Sequence, residues 1–296
     1  MKQFLQVIMY PKLICKSLFL AILLSFTVCV QADSRILATG GASSIEGQAG
    51  GGIVPWAVLS GYGSEGEWGA SAVNTQLRLS DYALDVRGVS VSYDNRIELS
   101  YARQSFDLGT LADALGISGA GFRQDVFGLK YRIAGDLIYN RLPQISLGIQ
   151  HKRHLDFSVP QSVGAIDDSD TEIYLSVAKL WLAGVFDRNV FVNANARYTG
   201  ANQAGLLGFG GDLGDSRELV WEASAGLFLN HNVALGAEIR QHPDNLGFSQ
   251  QDTWKDVFAA WFVNKHFSLI AAYADLGTVA TLPEQSGWYL SAEFSF

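Results

Sequence analysis

The last eleven residues constrain this chain more than any other stretch. From Ser286 to Phe296, Trp288, Leu290, Ala292, Phe294 and Phe296 fall on one side of an extended strand. Tyr289, Ser291, Glu293 and Ser295 fall on the other, because successive strand residues point to opposite faces. The strand thus has an apolar wall and a polar wall. Ending on an aromatic, it has the form of a terminal signal, Phe294 and Phe296, for the barrel-assembly machinery of Gram-negative bacteria. We therefore expect an all-β chain, a transmembrane antiparallel up-and-down β-barrel of a bacterial outer membrane.

The front of the chain agrees with the back. Lys2, Lys12 and Lys16 precede an apolar run from Ser17 to Val30, and Val30-Gln31-Ala32 suits cleavage before Asp33. The run is about 14 residues, short of the roughly 20 that span a bilayer as a helix. Residues 1–32 read as a signal peptide, and Val28 before Cys29 does not suit a lipoprotein site. Both cysteines, Cys15 and Cys29, lie inside that signal. No disulfide, thiolate metal site or cysteine nucleophile is then expected in the mature chain. Three of the 21 basic residues and none of the 29 acidic ones leave with the signal, so the mature chain is more acidic than the formal −8 of the whole. That balance argues against a nucleic-acid partner, which needs a basic face.

From about residue 68 onward, a dozen segments of roughly ten residues alternate with period two. Val190, Val192, Ala194, Ala196 and Tyr198 oppose Asn193, Asn195 and Arg197; Leu219, Trp221, Ala223, Ala225 and Leu227 oppose Glu222, Ser224 and Gly226. The other segments lie at about 83–93, 96–104, 121–134, 144–150, 171–182, 232–240, 253–263, 266–274 and 286–296. Short connections, such as Asp94-Asn95 and Asn230-His231-Asn232, alternate with long loops at 107–120, 152–170, 200–216, 242–252 and 275–286. This is the rhythm of a membrane barrel, short turns on the periplasmic side and long loops outside. Counting from 68–79 gives twelve strands, an even number as bacterial barrels require.

Two segments resist a simple register. In 82–93 the apolar set changes phase between Val86 and Val89; a bulge there would keep Asp85 and Arg87 off the lipid face. In 254–263 either face can be outward, carrying Asp256 or Lys255 with it, and that register stays open. Trp181, Tyr198, Trp221, Trp254, Tyr273 and Trp288 lie near strand ends, as interfacial girdles require.

Residues 33–66 form a glycine-rich lead-in or plug before the barrel at 67–296. The segment is too rich in glycine for an independent domain. It can fold inside the lumen, or run as a periplasmic lead-in or extra strand pair that raises the count to fourteen. Gly61-x-Gly63-x-x-Gly66 matches a dinucleotide fingerprint literally, but a strand follows where that motif needs a helix.

The inward faces gather Glu98, Lys130, Arg132, Glu172, Arg197, Glu218, Glu222, Glu238, Arg240 and Glu293 as lumen-lining charges. They line a water-filled passage or pair with one another to fill a narrow lumen; twelve strands lie between filled and open barrels. Asp167, Asp168, Asp170 and Glu172 read as a solvated loop end, without EF-hand spacing. In His151-Lys152-Arg153-His154 the two imidazoles diverge on a strand, which disfavours a metal site and suits a basic rim near lipid phosphates. We expect no metal, no cofactor and no enzyme activity, there being no nucleophile elbow or zinc motif.

The chain resembles a Gram-negative family of outer-membrane proteins catalogued only as a domain of unknown function. The likeness runs from about Thr39 to Phe296. It rests on Thr39-Gly40-Gly41, Glu46-Gly47-x-x-Gly50-Gly51-Gly52, Pro55-Trp56, Leu206-Leu207-Gly208-Phe209-Gly210-Gly211-Asp212 and Pro243-Asp244-Asn245-Leu246-Gly247-Phe248. It continues through Ala260-Trp261-Phe262, Asn264-Lys265-His266 and Ala274-Asp275-Leu276-Gly277. The resemblance implies a barrel and transfers no catalytic residues. Two of its loop motifs mix glycine with large apolar residues, so Leu206, Phe209, Leu246 and Phe248 are candidates for a constriction. The resulting expectation is a passive channel or uptake porin for small solutes. The alternatives are a closed structural barrel binding lipopolysaccharide or a periplasmic partner, and a lipid-acting barrel enzyme. Expected partners are outer-membrane lipid and lipopolysaccharide.

Overall fold

The computed structural model describes residues 35–40, 42–114 and 120–296; the expected signal peptide, residues 1–32, lies outside them. Twelve antiparallel strands close into one barrel, with the last paired to the first. They are β3 (Trp68–Leu79), β4 (Ala83–Tyr93), β5 (Ile97–Asp107), β6 (Gly121–Ala134), β7 (Gln144–His154) and β8 (Ser169–Val185). They continue as β9 (Arg188–Thr199), β10 (Glu218–Phe228), β11 (Val233–Arg240), β12 (Trp254–Asn264), β13 (Phe267–Asp275) and β14 (Ser286–Ser295). A small hairpin of β1 (Ala42–Ser43) and β2 (Ala49–Gly50) precedes them and forms a sheet of its own, unpaired with the wall strands. The wall thus counts twelve strands, not fourteen.

The short connections form where the sequence supplies turn chemistry. Asp94 and Asn95 both adopt the left-handed region (φ 59° and 45°), as a tight hairpin turn demands. Between β10 and β11, Asn230 Oδ1 accepts the backbone N–H groups of Asn232 and Val233, both at 2.8 Å. The long connections carry α1 (Gly109–Ala114), α2 (Ser158–Ser162) and a 3-10 turn at Asn202–Gly205.

Along each strand the outward residues make an apolar belt. Trp68, Tyr93 and Tyr131 are exposed at the short-turn end; Tyr198, Trp221, Tyr273 and Trp288 are exposed toward the loop end. Trp68 packs on Tyr93 at 4.7 Å and Tyr273 on Trp288 at 5.4 Å. Val257 and Trp261 settle the open register of β12 by pointing outward, with Lys255.

Two expectations about this surface are corrected. β4 carries no bulge: it pairs without interruption from Trp68↔Tyr93 to Arg78↔Ala83 and from Ala83↔Asp107 to Tyr93↔Ile97. Leu84 and Val86 face inward with Gly88, and Asp85 and Arg87 face outward. Packing agrees with this choice. A Cβ on Gly88 would stand 3.3 Å from Gly47 Cα inside the barrel, so the smallest residue of this strand lies where the plug backbone comes close. Trp254 also departs from the outward girdle and is buried in the lumen, on a strand whose other face carries Val257 and Trp261.

Candidate functional site

Every residue from 42 to 63 is buried inside the wall. This segment has almost no regular structure, so its backbone donors and acceptors must find partners elsewhere. The strands supply them. Gln104 Nε2 donates to the Ile45 carbonyl (2.8 Å), and Asn195 Nδ2 to that of Pro55 (2.6 Å). Gln144 Nε2 and Ser146 Oγ donate to the Ala57 carbonyl at 2.7 and 2.6 Å, and the Ala57 N–H donates to Asn193 Oδ1 at 3.0 Å. The segment is a plug whose shape is written in wall side chains.

Three groups of charges hold it. Near the short-turn end, Lys130 Nζ donates to the carbonyls of Ala49 (2.9 Å) and Val58 (3.0 Å). Its partner Glu98, 3.3 Å away, accepts the N–H groups of Ala49 (3.2 Å) and Ser60 (2.7 Å). On the opposite wall, Glu238 accepts the N–H groups of Ile53 (2.8 Å) and Val54 (3.3 Å) and the Trp56 indole N–H (3.1 Å).

The third group is centred on Glu46, at the tip of the β1–β2 hairpin. Its carboxylate meets Lys152 Nζ (2.6 Å), Arg240 Nη2 (2.6 Å) and Arg197 Nη2 (3.3 Å). Arg197 also reaches Glu222 (2.6 Å), Glu172 (3.0 Å) and Gln150 Oε1 (2.6 Å), and lies 4.8 Å over the Tyr174 ring. Lys152 pairs with Glu172 as well. Three wall cations therefore face two wall carboxylates, and the third carboxylate comes from the plug. The group is neutral only with Glu46 in place.

Hairpin and wall approach closely at two glycines, and the first needs glycine for its backbone as well. Gly47 has φ +80°, and a Cβ there would stand 2.7 Å from Ala102 Cβ. A Cβ on Gly128 of β6 would meet Gln48 Nε2 at 2.2 Å.

Apolar layers lie on either side of this polar middle. Toward the loops, Ile45 and Ile53 pack with Leu84, Phe106, Trp254 and Leu206. Toward the short turns, Trp56 packs 4.4 Å from Phe191 and 6.4 Å from Phe258. The voids left in these layers are about 30 and 10 Å³, room for one or two waters at most. Among the described residues, the plug and these layers occupy the lumen.

Eight of the ten expected lumen charges are buried on the inner face: Glu98, Lys130, Glu172, Arg197, Glu222, Glu238, Arg240 and Glu293. They face the plug instead of open water. Arg132 is only half-buried and serves the link after β6, donating to the Gly135 carbonyl with Asp136 3.4 Å away. In that link burial alone would raise the Asp136 carboxyl. The N–H groups of Tyr139 and Ile138, with Arg132, instead hold it below the usual carboxylate range. Glu218 keeps the inward parity but is exposed, because it begins its strand at the loop-end rim. Among the constriction candidates, Leu206, Phe209 and Leu246 are buried and Phe248 is partly exposed. The loop carrying Leu206 folds over the plug: the Ala204 carbonyl accepts Lys152 Nζ at 3.0 Å, and the Gly205 carbonyl meets His154 Nε2 at 2.6 Å. Phe294 and Phe296 face outward and exposed.

Sequence reasoning missed Glu46, Lys152, Gln48 and the Asn193–Asn195 pair. Parity offered Lys152, since Ser146, Gly148 and Gln150 precede it on the same face. Glu46 offered no such signal, because the plug has no period. The paired histidines do diverge, His154 inward and His151 outward. His151 Nδ1 lies 3.0 Å from Thr171 Oγ1. Among the described residues no Ser hydroxyl bonds a histidine ring and no group of three or more His, Cys, Asp or Glu could hold a metal ion.

A family model described as "Protein of unknown function (DUF3034)" matches residues 39–293. No functionally curated protein matches the chain. Among solved structures the chain is similar to the KdgM porin, with a TM-score of 0.50 and 11% identity over 76% of this chain and 99% of that one. It is similar to the NanC porin at a TM-score of 0.47 and 12% identity, over 77% and 98%. It is also similar to the outer membrane phospholipase A of Escherichia coli at 0.40 and 10%, over 76% and 92%. At such identities the likeness to the KdgM porin is one of fold, that of bacterial outer-membrane β-barrels.

Proposed function

The chain belongs to this family of unknown function, and on that premise we propose an outer-membrane channel of the porin kind, closed at rest by its own N-terminal segment. Short turns face the periplasm and loops the exterior. Small solutes pass when the segment shifts, along the face lined by Glu98, Lys130, Glu172, Arg197, Glu222, Glu238, Arg240 and Glu293. The observation that carries this reading is the group around Glu46. Within that group the wall's own charges do not balance: Lys152, Arg197 and Arg240 face Glu172 and Glu222 alone until the plug brings Glu46. Water can replace the ion pairs and hydrogen bonds that hold the plug, as a passage that opens requires.

The test is planar-bilayer conductance of the purified protein, of Glu46→Gln, and of a form lacking residues 38–63. The intact protein should conduct little, Glu46→Gln should flicker open, and the shortened form should stay open. Silence in all three would favour a second reading, a closed structural barrel that binds a partner at its surface. The apolar layers around Trp56 and Ile45 speak for that alternative. Neither reading assigns the chain a catalytic role.

A further inference from the structure

The outer wall of β3–β7 breaks the pattern of the belt. One register row crosses five strands there: Asn74 faces Arg87, Arg87 faces Arg103, Arg103 faces Asp125 and Asp125 faces Arg153. All five have outward parity. Two residues further toward the short turns the row reads Val89, Tyr101 and Phe127, and Tyr101 packs 5.2 Å from Phe127. The charged row therefore begins where the apolar belt stops, on the loop side.

Within the row the charges do not balance. Asp125 is taken by Arg103, which reaches both its oxygens at 2.7 and 2.9 Å, and by the Tyr101 hydroxyl at 2.9 Å. The nearest acids beyond the row are also engaged: Asp85 with Arg78 at 2.7 Å and Asp156 with Arg123 at 3.3 Å. Arg87 and Arg153 are left exposed with no hydrogen bond or ion pair among the described residues. Arg87 also stands directly opposite another arginine, a pairing that destabilises a sheet. At the edge of the apolar belt the lipid cost of a guanidinium is small, and the like-charge pairing is the penalty left standing. An anion lying over the row relieves it, and a phosphate matches the planar fork of arginine in shape and charge.

We propose that this face binds the phosphorylated headgroup of the outer-leaflet glycolipid. The unpaired Arg87 grips one phosphate with help from the N–H groups of Arg103 that Asp125 does not take, Arg153 stands across Asp125 as a second contact, and the acyl chains lie along Val89, Tyr101 and Phe127. The proposal rests on the outer-membrane reading with loops outside, and does not depend on whether the lumen conducts.

Retention of lipid through purification tests it, read by native mass spectrometry of the barrel reconstituted with diphosphoryl lipid A, with chemically dephosphorylated lipid A, and with phosphatidylethanolamine. Wild-type protein should retain the diphosphoryl form at least tenfold better than either other lipid. Inorganic phosphate should leave that complex largely intact, which separates a headgroup site from a free-anion site. The double variant Arg87→Gln/Arg153→Gln should lose at least tenfold of the retention, while heat-modifiable gel migration reports a folded barrel. Equal retention of the two lipid A forms by the wild type would overturn the proposal even if the variant failed to fold. So would unchanged retention in a folded variant, or full displacement by inorganic phosphate. Bilayer conductance should be the same in wild type and variant, so a failed channel reading shows separately.

Discussion

The barrel carries two charged layers, one inside β7–β11 and one outside β3–β7, and they are built differently. On the inner face, Lys152, Arg197 and Arg240 are matched by Glu172, Glu222 and the plug's Glu46, buried on every side. On the outer face of β3–β7, Arg87 and Arg153 are exposed and unmatched, while Arg103 shares Asp125 with a tyrosine. Inner charges are spent on the fold itself. Outer charges remain available to something that is not part of the chain.

Glu46→Ala probes the inner layer at its most sensitive point. Removing one partner of a buried charged group leaves the others uncompensated, at a cost of about 3–5 kcal/mol. Thermal unfolding in detergent, followed by far-UV circular dichroism, should show a large drop in midpoint. A midpoint equal to wild type would mean that the plug does not complete the charge balance. Gly128→Val reaches the same hairpin without altering charge. Its side chain would push Gln48 aside, an overpacking change of about 1–3 kcal/mol. The hairpin should loosen: a cysteine at Ser44, buried in the parent, should then react with a membrane-impermeant maleimide. Equal protection in both forms would contradict the close approach of β6 and plug.

Arg103→Gln should matter less to the fold, because its pair with Asp125 is half-open to the surface, where ion pairs contribute less, and the Tyr101 hydroxyl still donates to Asp125. Its unfolding midpoint should stay near wild type; a drop as large as that of Glu46→Ala would erase the contrast between the layers. The smallest expected effect is acid loosening of the loop after β11. His242, 4.4 Å from Trp254, is held well below the usual histidine value by loss of hydration, with Arg240 and Lys152 adding to it. Since its value is lowered by folding, stability is complete above about pH 6.5, the unperturbed value, and declines as pH falls toward the folded value. Trp254 fluorescence should change on acidification in the parent and not in His242→Gln; identical titrations would rule the histidine out.

Much of the barrel was legible because strands write themselves twice, in period and in turns. Leu219, Trp221 and Ala223 told their faces apart from Glu222 and Ser224, and Asp94-Asn95 marked its own hairpin. Eight inner charges followed from parity alone. What parity could not reach was the purpose of the inner face. The plug is held by side chains from many strands, Glu98 and Glu238 among them, reaching backbone groups of residues that carry no pattern. The expected bulge in β4 failed for a related reason. The lipid face disfavours Arg87, yet the unbroken register sets Gly88 inward beside Gly47 and Arg87 outward. Trp254 likewise looked like a girdle residue, and its inward turn depends on the void that Ile45 and Ile53 leave to be filled.

The claim on which the rest depends is that residues 42–63 occupy and close the lumen. Single-channel recording in planar bilayers tests it most directly, comparing the intact protein with the form lacking residues 38–63. A nearly silent intact barrel and a steadily conducting shortened one are the predicted pair. Equal, open conductance in both would contradict it.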